Sequence, residues 1–180
     1  MQLARKYALV QIVLHWAGAL LMFSLLSLGY IMTSLPRGAA GKAELVNLHK
    51  SLGLTAALLI AWRVVERVRR AVPAYDESLH GWEAALAGVT HRLLYVCMLV
   101  MPISGYLGSS FNKYGTRFWG LPLPRWGWVD ESIRDIFYTI HGTTSFLLLG
   151  LVLLHVAAVA KHQWLDRQRC MQRMLPGGNE

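Results

Sequence analysis

The chain has 180 residues, of which 54% are hydrophobic and only 16% charged, and its formal net charge is +8. That balance places it among integral membrane proteins and excludes an ordinary soluble enzyme surface. The basic excess is not accompanied by any nucleic-acid reader motif, so no nucleic-acid partner is expected.

Taken in chain order, the first apolar segment runs from about Ala8 to Thr33 and carries His15 near its start. Arg5 and Lys6 ahead of it imitate a secretory signal, but the segment is too long for one and cleavage would discard His15. The second segment, Glu44 to Val65, has His49 near its start, followed by Lys50 and Gly53. The third, Ala84 to Ser109, contains Pro102, which is expected to kink it. The fourth, Ile133 to Ala160, has His141 near one end and His155 near the other. Each segment is near or above the roughly 20 residues that cross a bilayer core. The expected fold is therefore all-α: a single transmembrane four-helix bundle using residues 1–180, in contact with membrane lipid.

Two connections read differently. Val68 to Glu83, with Pro73, Asp76 and Glu77, reads as a solvated loop. Ser110 to Asp130 carries Phe111, Tyr114, Phe118, Trp119, Trp126 and Trp128 among Gly and Pro, and is expected to fold as an interfacial cap. Cys97 and Cys170 have no CxxC spacing and read as span packing and a free tail thiol.

An even number of spans puts both chain ends on one side. That side holds Arg5, Lys6, Arg63, Arg67, Arg69, Arg70, Arg92, Lys161, Arg167, Arg169 and Arg173, which is 11 of the 18 Lys and Arg. The positive-inside rule makes it the cytoplasmic side. Arg37, Lys42, Lys50, Lys113, Arg117, Arg125 and Arg134 leave the other face basic as well.

Imidazole is costly in hydrocarbon and is retained there for a function or as hydrogen-bonding glue between helices. His141 and His155 are 14 residues apart, which is about 21 Å along a helix and about 40° in azimuth. One helix therefore offers two ligands from one face, one near each membrane surface. In an antiparallel bundle His15 meets His155 at the inner level and His49 meets His141 at the outer level. Two levels so far apart cannot share one ion, whereas each pair suits the two axial positions of a b-type haem iron. No CxxCH is present, so the haems are non-covalent. Ala19, Gly53 and Ser145 each follow a histidine by four residues, on the same helix face. Ordinary small-residue packing explains any one of them; three beside three histidines favour clearance for a porphyrin.

Several stretches carry a family resemblance. QIVLHW from Gln11 to Trp16, LHKSLG from Leu48 to Gly53 and AWRVVERVRRAVP from Ala61 to Pro73 resemble the bacterial cytochrome b561 family, as do HRLLYVCMLVMPISGY from His91 to Tyr106, LHVAAVAKH from Leu154 to His162 and RMLP from Arg173 to Pro176. The likeness spans almost the whole chain in matching order. It implies a four-helix inner-membrane protein with two haems b that exchanges electrons with ubiquinone. It further implies the superoxide oxidase type, which passes an electron from periplasmic superoxide to that quinone.

A basic outer face would gather an anion such as superoxide. Lys50 and Arg117 are the leading candidates, with Lys42, Lys113 and Arg134 beside them, although solubilising loop charges explain any single one. His162 resembles a family histidine beside the quinone pocket; an interfacial helix-end histidine is the alternative. His91 and Arg92 open the third span on the same side and are candidates to serve the quinone or a haem propionate. Arg63 and Arg67 match family positions for haem propionate partners, since Arg pairs with carboxylates through two parallel bonds, and positive-inside anchoring also accounts for them. The rival reading is a cytochrome b subunit that links a partner, such as a hydrogenase or another periplasmic oxidoreductase, to the quinone pool. A haem-binding membrane protein without turnover is a third.

Overall fold

A computed structural model describes residues 6–70, 80–168 and 170–177. Arg5, the loop residues Pro73, Asp76 and Glu77, and Arg169 lie outside the described residues. Four long helices dominate: α1 (Leu9–Ser34), α2 (Lys42–Arg69), α3 (Gly81–Ser110) and α4 (Glu131–Ala160). All four are long and apolar enough to cross a membrane. A π-helical turn (Lys161–Leu165) extends α4, and a short 3-10 turn (Met171–Met174) follows it.

The helix starts follow from local chemistry. The Asp130 carboxylate accepts the Ile133 N–H at 3.0 Å and caps α4. Gln11 reaches back to the Ala8 N–H at 3.2 Å and closes the first turn of α1. Gly41, with φ of 78°, turns the chain into α2. Pro102 sits inside α3 and lacks the N–H that would serve the Met98 carbonyl, yet the helix runs on to Ser110.

The densest backbone packing is α3 on α4 and α1 on α2. A small core of Cys97, Leu148, Leu151 and Val152 forms where α3 meets α4, with Met22, Leu94, Met98 and Met101 against it. Leu148 lies seven residues from both His141 and His155, so this core separates the two histidine levels by about 10 Å on each side. Large apolar side chains such as Leu20, Phe23, Leu58, Phe146 and Leu153 point outward, as lipid-facing positions of a small bundle do.

The long connection after α3 is folded. Two short antiparallel strands, β1 (Arg117–Phe118) and β2 (Leu121–Pro122), pair across a turn at Trp119 and Gly120. Both turn residues have positive φ, 48° and 92°, as a two-residue hairpin turn with the right twist requires. Trp119 adopts that conformation against its preference because its N–H is held by Ser51 Oγ at 3.1 Å and its indole by Thr55 Oγ1 at 3.3 Å. Phe111 stacks on Phe137 and meets Trp128 edge-on. A Cβ at Gly127 would collide with the Phe111 ring.

Candidate functional site

At the end of the bundle bearing this hairpin, His49 of α2 faces His141 of α4, with ring centroids 6.2 Å apart and planes at 74°. At the other end His15 of α1 faces His155 of α4 at 6.4 Å and 71°. Two metal–imidazole bonds of about 2.0 Å each, plus the two ring radii, bring centroids to roughly 6 Å. Both pairs therefore have the spacing of two imidazoles on opposite sides of one metal.

The second ring nitrogens matter as much as the spacing. His141 Nδ1–H donates to the Met101 carbonyl at 2.9 Å, with Ser104 Oγ 3.3 Å away. That contact fixes the tautomer and leaves the Nε2 lone pair free to bind a metal. Gly105 makes it possible, because its Cβ would stand only 3.2 Å from the His141 ring. Gly29 lies similarly against His49, with a hypothetical Cβ 3.6 Å from Cε1. His49 Nδ1 is buried without a hydrogen-bond partner among the described residues, an orphan of the kind that calls for a ligand or water. A Cβ at Gly53 would meet no protein atom within 4 Å, so that position leaves the clearance expected beside His49.

The other level is more crowded. Arg63 of α2 donates to His15 Nδ1 at 2.9 Å. Guanidinium only donates, so in this arrangement the His15 proton sits on Nε2, and binding a metal there requires Arg63 to release the ring. Arg63 and Arg67 both lie over the Tyr95 ring, at 5.6 Å and 5.5 Å. His91 of α3 stands 5.2 Å from His155 and donates its Nδ1–H to the Ala87 carbonyl at 2.7 Å. That separation is too short for the pair to straddle one metal, and Arg92 is exposed. The returning tail covers this end, with the Trp16 indole donating to the Met174 carbonyl at 2.6 Å.

The expected charged residues are placed as follows. Lys50 is half-buried, and its ammonium donates to the Gly115 carbonyl at 2.7 Å, which also accepts from Ser109 at 2.6 Å. Lys50 thus ties the hairpin loop to α2, while Arg117 is exposed. His162 sits in the π-helical turn with Nδ1 2.7 Å from Asp166 Oδ2. Sequence reasoning missed Gly105, the Met101 carbonyl, Gly29 and the closeness of His91 to His155. The run P-I-S-G from Pro102, with Gly105 and Gly108 three residues apart, was the available signal of a close helix approach on α3.

Four membrane-spanning helices with histidines paired at two levels along one of them define a membrane-embedded cytochrome b of the electron-transfer kind. The family model for prokaryotic cytochrome b561 matches residues 6–177, and the chain belongs to that family. Its membership makes it a multi-pass bacterial membrane protein of electron transport that binds b-type haem. Cytochrome b561 homolog 2 of Escherichia coli (strain K12) is 25% identical over 94% of this chain and 91% of that protein. Cytochrome b561 homolog 1 of the same strain is 20% identical, covering 95% and 97%. The probable superoxide oxidase CybB of Yersinia pestis is 24% identical, covering 96% and 97%.

Proposed function

We propose that this chain is a superoxide:quinone oxidoreductase with two haems b, one held by His49 and His141 and the other by His15 and His155. The observation that carries the reading is the pair of imidazole couples, both at ligand spacing, at two levels of α4. Similarity to a protein named probable superoxide oxidase supports the choice of donor. The excess of Lys and Arg at the end bearing both termini supports placing that end in the cytoplasm and the hairpin end in the periplasm.

Bound haems would supply reversible one-electron carriage between the two faces. The chain does the rest. Two superoxide anions each give one electron and leave as dioxygen; one ubiquinone takes both electrons with two protons and becomes the quinol. Exposed Arg117 at the hairpin end raises the local concentration of the anion, and Lys50 holds the loop over the outer pair. Arg63 and Arg67 would pair with haem carboxylates, Arg63 after leaving His15 Nδ1. Gly53 keeps the flank of the outer pair clear. His162 hands a proton to the quinone near the inner pair.

Stopped-flow mixing of the purified holoprotein with superoxide tests this reading. We expect fast haem reduction that slows as ionic strength rises, because 0.15 M salt screens charges beyond about 8 Å. Slow reduction indifferent to salt, accelerated only by a protein partner, would overturn it and favour a subunit that links another oxidoreductase to quinone.

A further inference from the structure

Where α4 ends, its last turn widens into the π form, with the Asp166 N–H bonded to the Lys161 carbonyl at 3.1 Å. Such turns are rare and are often found at functional sites. Here the turn gathers four ionisable side chains from two helices. Lys161 Nζ donates to Glu83 Oε1 of α3 at 2.8 Å and to Asp166 Oδ2 at 2.7 Å. The same Asp166 oxygen lies 2.7 Å from His162 Nδ1. Glu83 is 8% exposed and also faces the His80 N–H at the start of α3. The His162 carbonyl accepts from the Gln168 N–H at 2.8 Å, so the following chain holds the turn in place.

The ligand atoms of Glu83, His162 and Asp166 lie within 4.8 Å of one another. The Lys161 ammonium bridges the two carboxylates and offsets one of their two negative charges. What it does secure is one orientation of one imidazole. Asp166 accepts from Nδ1–H, which turns Nε2 away from the carboxylate.

We propose that Asp166, fixed by Lys161 and Glu83, is a positioning residue that aims His162 Nε2–H at the quinone as its proton donor. This rests on the quinone reading above. In the step, the His162 imidazolium gives its Nε2 proton to a quinone oxygen that has gained electron density, and the N–H bond breaks as the O–H bond forms. Neutral His162 keeps Nδ1–H on Asp166, and a solvent proton then returns to the Nε2 lone pair to restore the imidazolium. A second cycle supplies the second proton, and both electrons come from the reduced cytochrome.

The experiment follows reoxidation of the pre-reduced holoprotein by a soluble ubiquinone and, separately, by ferricyanide, which takes electrons without protons. Asp166→Asn should slow the quinone reaction about tenfold, less than the roughly 10²–10⁴-fold of general acid catalysis as a whole because the imidazole itself is retained, and enlarge its solvent isotope effect in D2O. Ferricyanide reoxidation should keep its parental rate, and Asp166→Glu should recover most of the loss. Glu83→Gln should slow the quinone reaction by a smaller factor. If Asp166→Asn leaves the quinone rate and isotope effect unchanged while His162→Ala slows it, the positioning role falls and the quinone reading stands. Parent protein that ferricyanide reoxidises and quinone does not would overturn both. Equal slowing with both oxidants would show a merely structural role for Asp166 and reject the proposal.

Discussion

Single residues decide whether a flat group can enter between these helices, and Gly53 gives the sharpest test. A Cβ there would meet no protein atom within 4 Å, so Gly53→Leu should fold with an unchanged helical spectrum. If the outer haem lies against that face, the same variant should lose one haem of two. A Gly53→Leu protein that retains both haems would remove Gly53 from the site. Gly105 is the converse case, because its clearance is needed by protein: a Cβ there stands 3.2 Å from His141 Nδ1 and Cε1. Gly105→Ala should disturb the His141 to Met101 hydrogen bond and shift the visible spectrum of the outer haem. An unshifted spectrum would show that α3 yields without cost. The histidines were legible in the sequence because each is a polar outlier in an apolar run. Gly105 was not, since its meaning depends on which residue of α4 lies opposite.

Among the elements, the expected spans and the observed helices agree closely at α1 and differ most at α2. Expected from Glu44 to Val65, α2 runs from Lys42 to Arg69. Arg67 and Arg69 lower the local apolarity without interrupting the helix, so composition marks the hydrocarbon boundary and backbone hydrogen bonding continues past it. The aromatic cap was legible from its Trp and Tyr content, but its attachment to α2 through Lys50 and Ser51 was not. Ser51 is 4% exposed, and its hydroxyl oxygen accepts the Trp119 N–H while its O–H points to the Arg117 carbonyl at 3.3 Å. Ser51→Ala leaves both groups without that partner and should lower stability by roughly 1–3 kcal/mol, read as a lower midpoint in thermal unfolding in detergent. The link from α3 to the end of α4 was equally invisible to single-helix periodicity, because Glu83 and Lys161 are brought together by the relative rotation of two helices. It also has a pH signature. Hydrogen bonds first from Lys161 and then from His162 hold the Asp166 carboxyl below its ordinary range. A depressed value means the stabilisation is complete above the unfolded value, near 3.9, and is lost as pH falls through the folded one. The exposed Trp164 beside this link should therefore keep its fluorescence through mildly acid solution and change only below about pH 4. A transition centred near pH 6 would assign the link to a histidine instead.

At the scale of the whole molecule, the bundle is two closely packed helix pairs, α1 with α2 and α3 with α4. The histidine couples bridge from one pair to the other, each using α4. Antiparallel packing made this arrangement readable from spacing alone, because 14 residues of one helix fix the distance between levels. Charge placement acts at the same scale. Reversing Arg117 to Glu should slow haem reduction by superoxide several-fold without altering haem content, whereas reversing Arg167 at the opposite end should leave the rate unchanged. Equal rates in both variants would show that the field of the hairpin face does not guide the donor.

The two-level arrangement itself is tested most directly by counting haem. A pyridine haemochrome assay on the purified protein should return two haems b per chain. His49→Ala and His141→Ala should each return one, with the same remaining spectrum, while His15→Ala and His155→Ala should leave the complementary one. One haem per chain in the parent, or loss of the inner haem selectively in His49→Ala, would contradict the pairing.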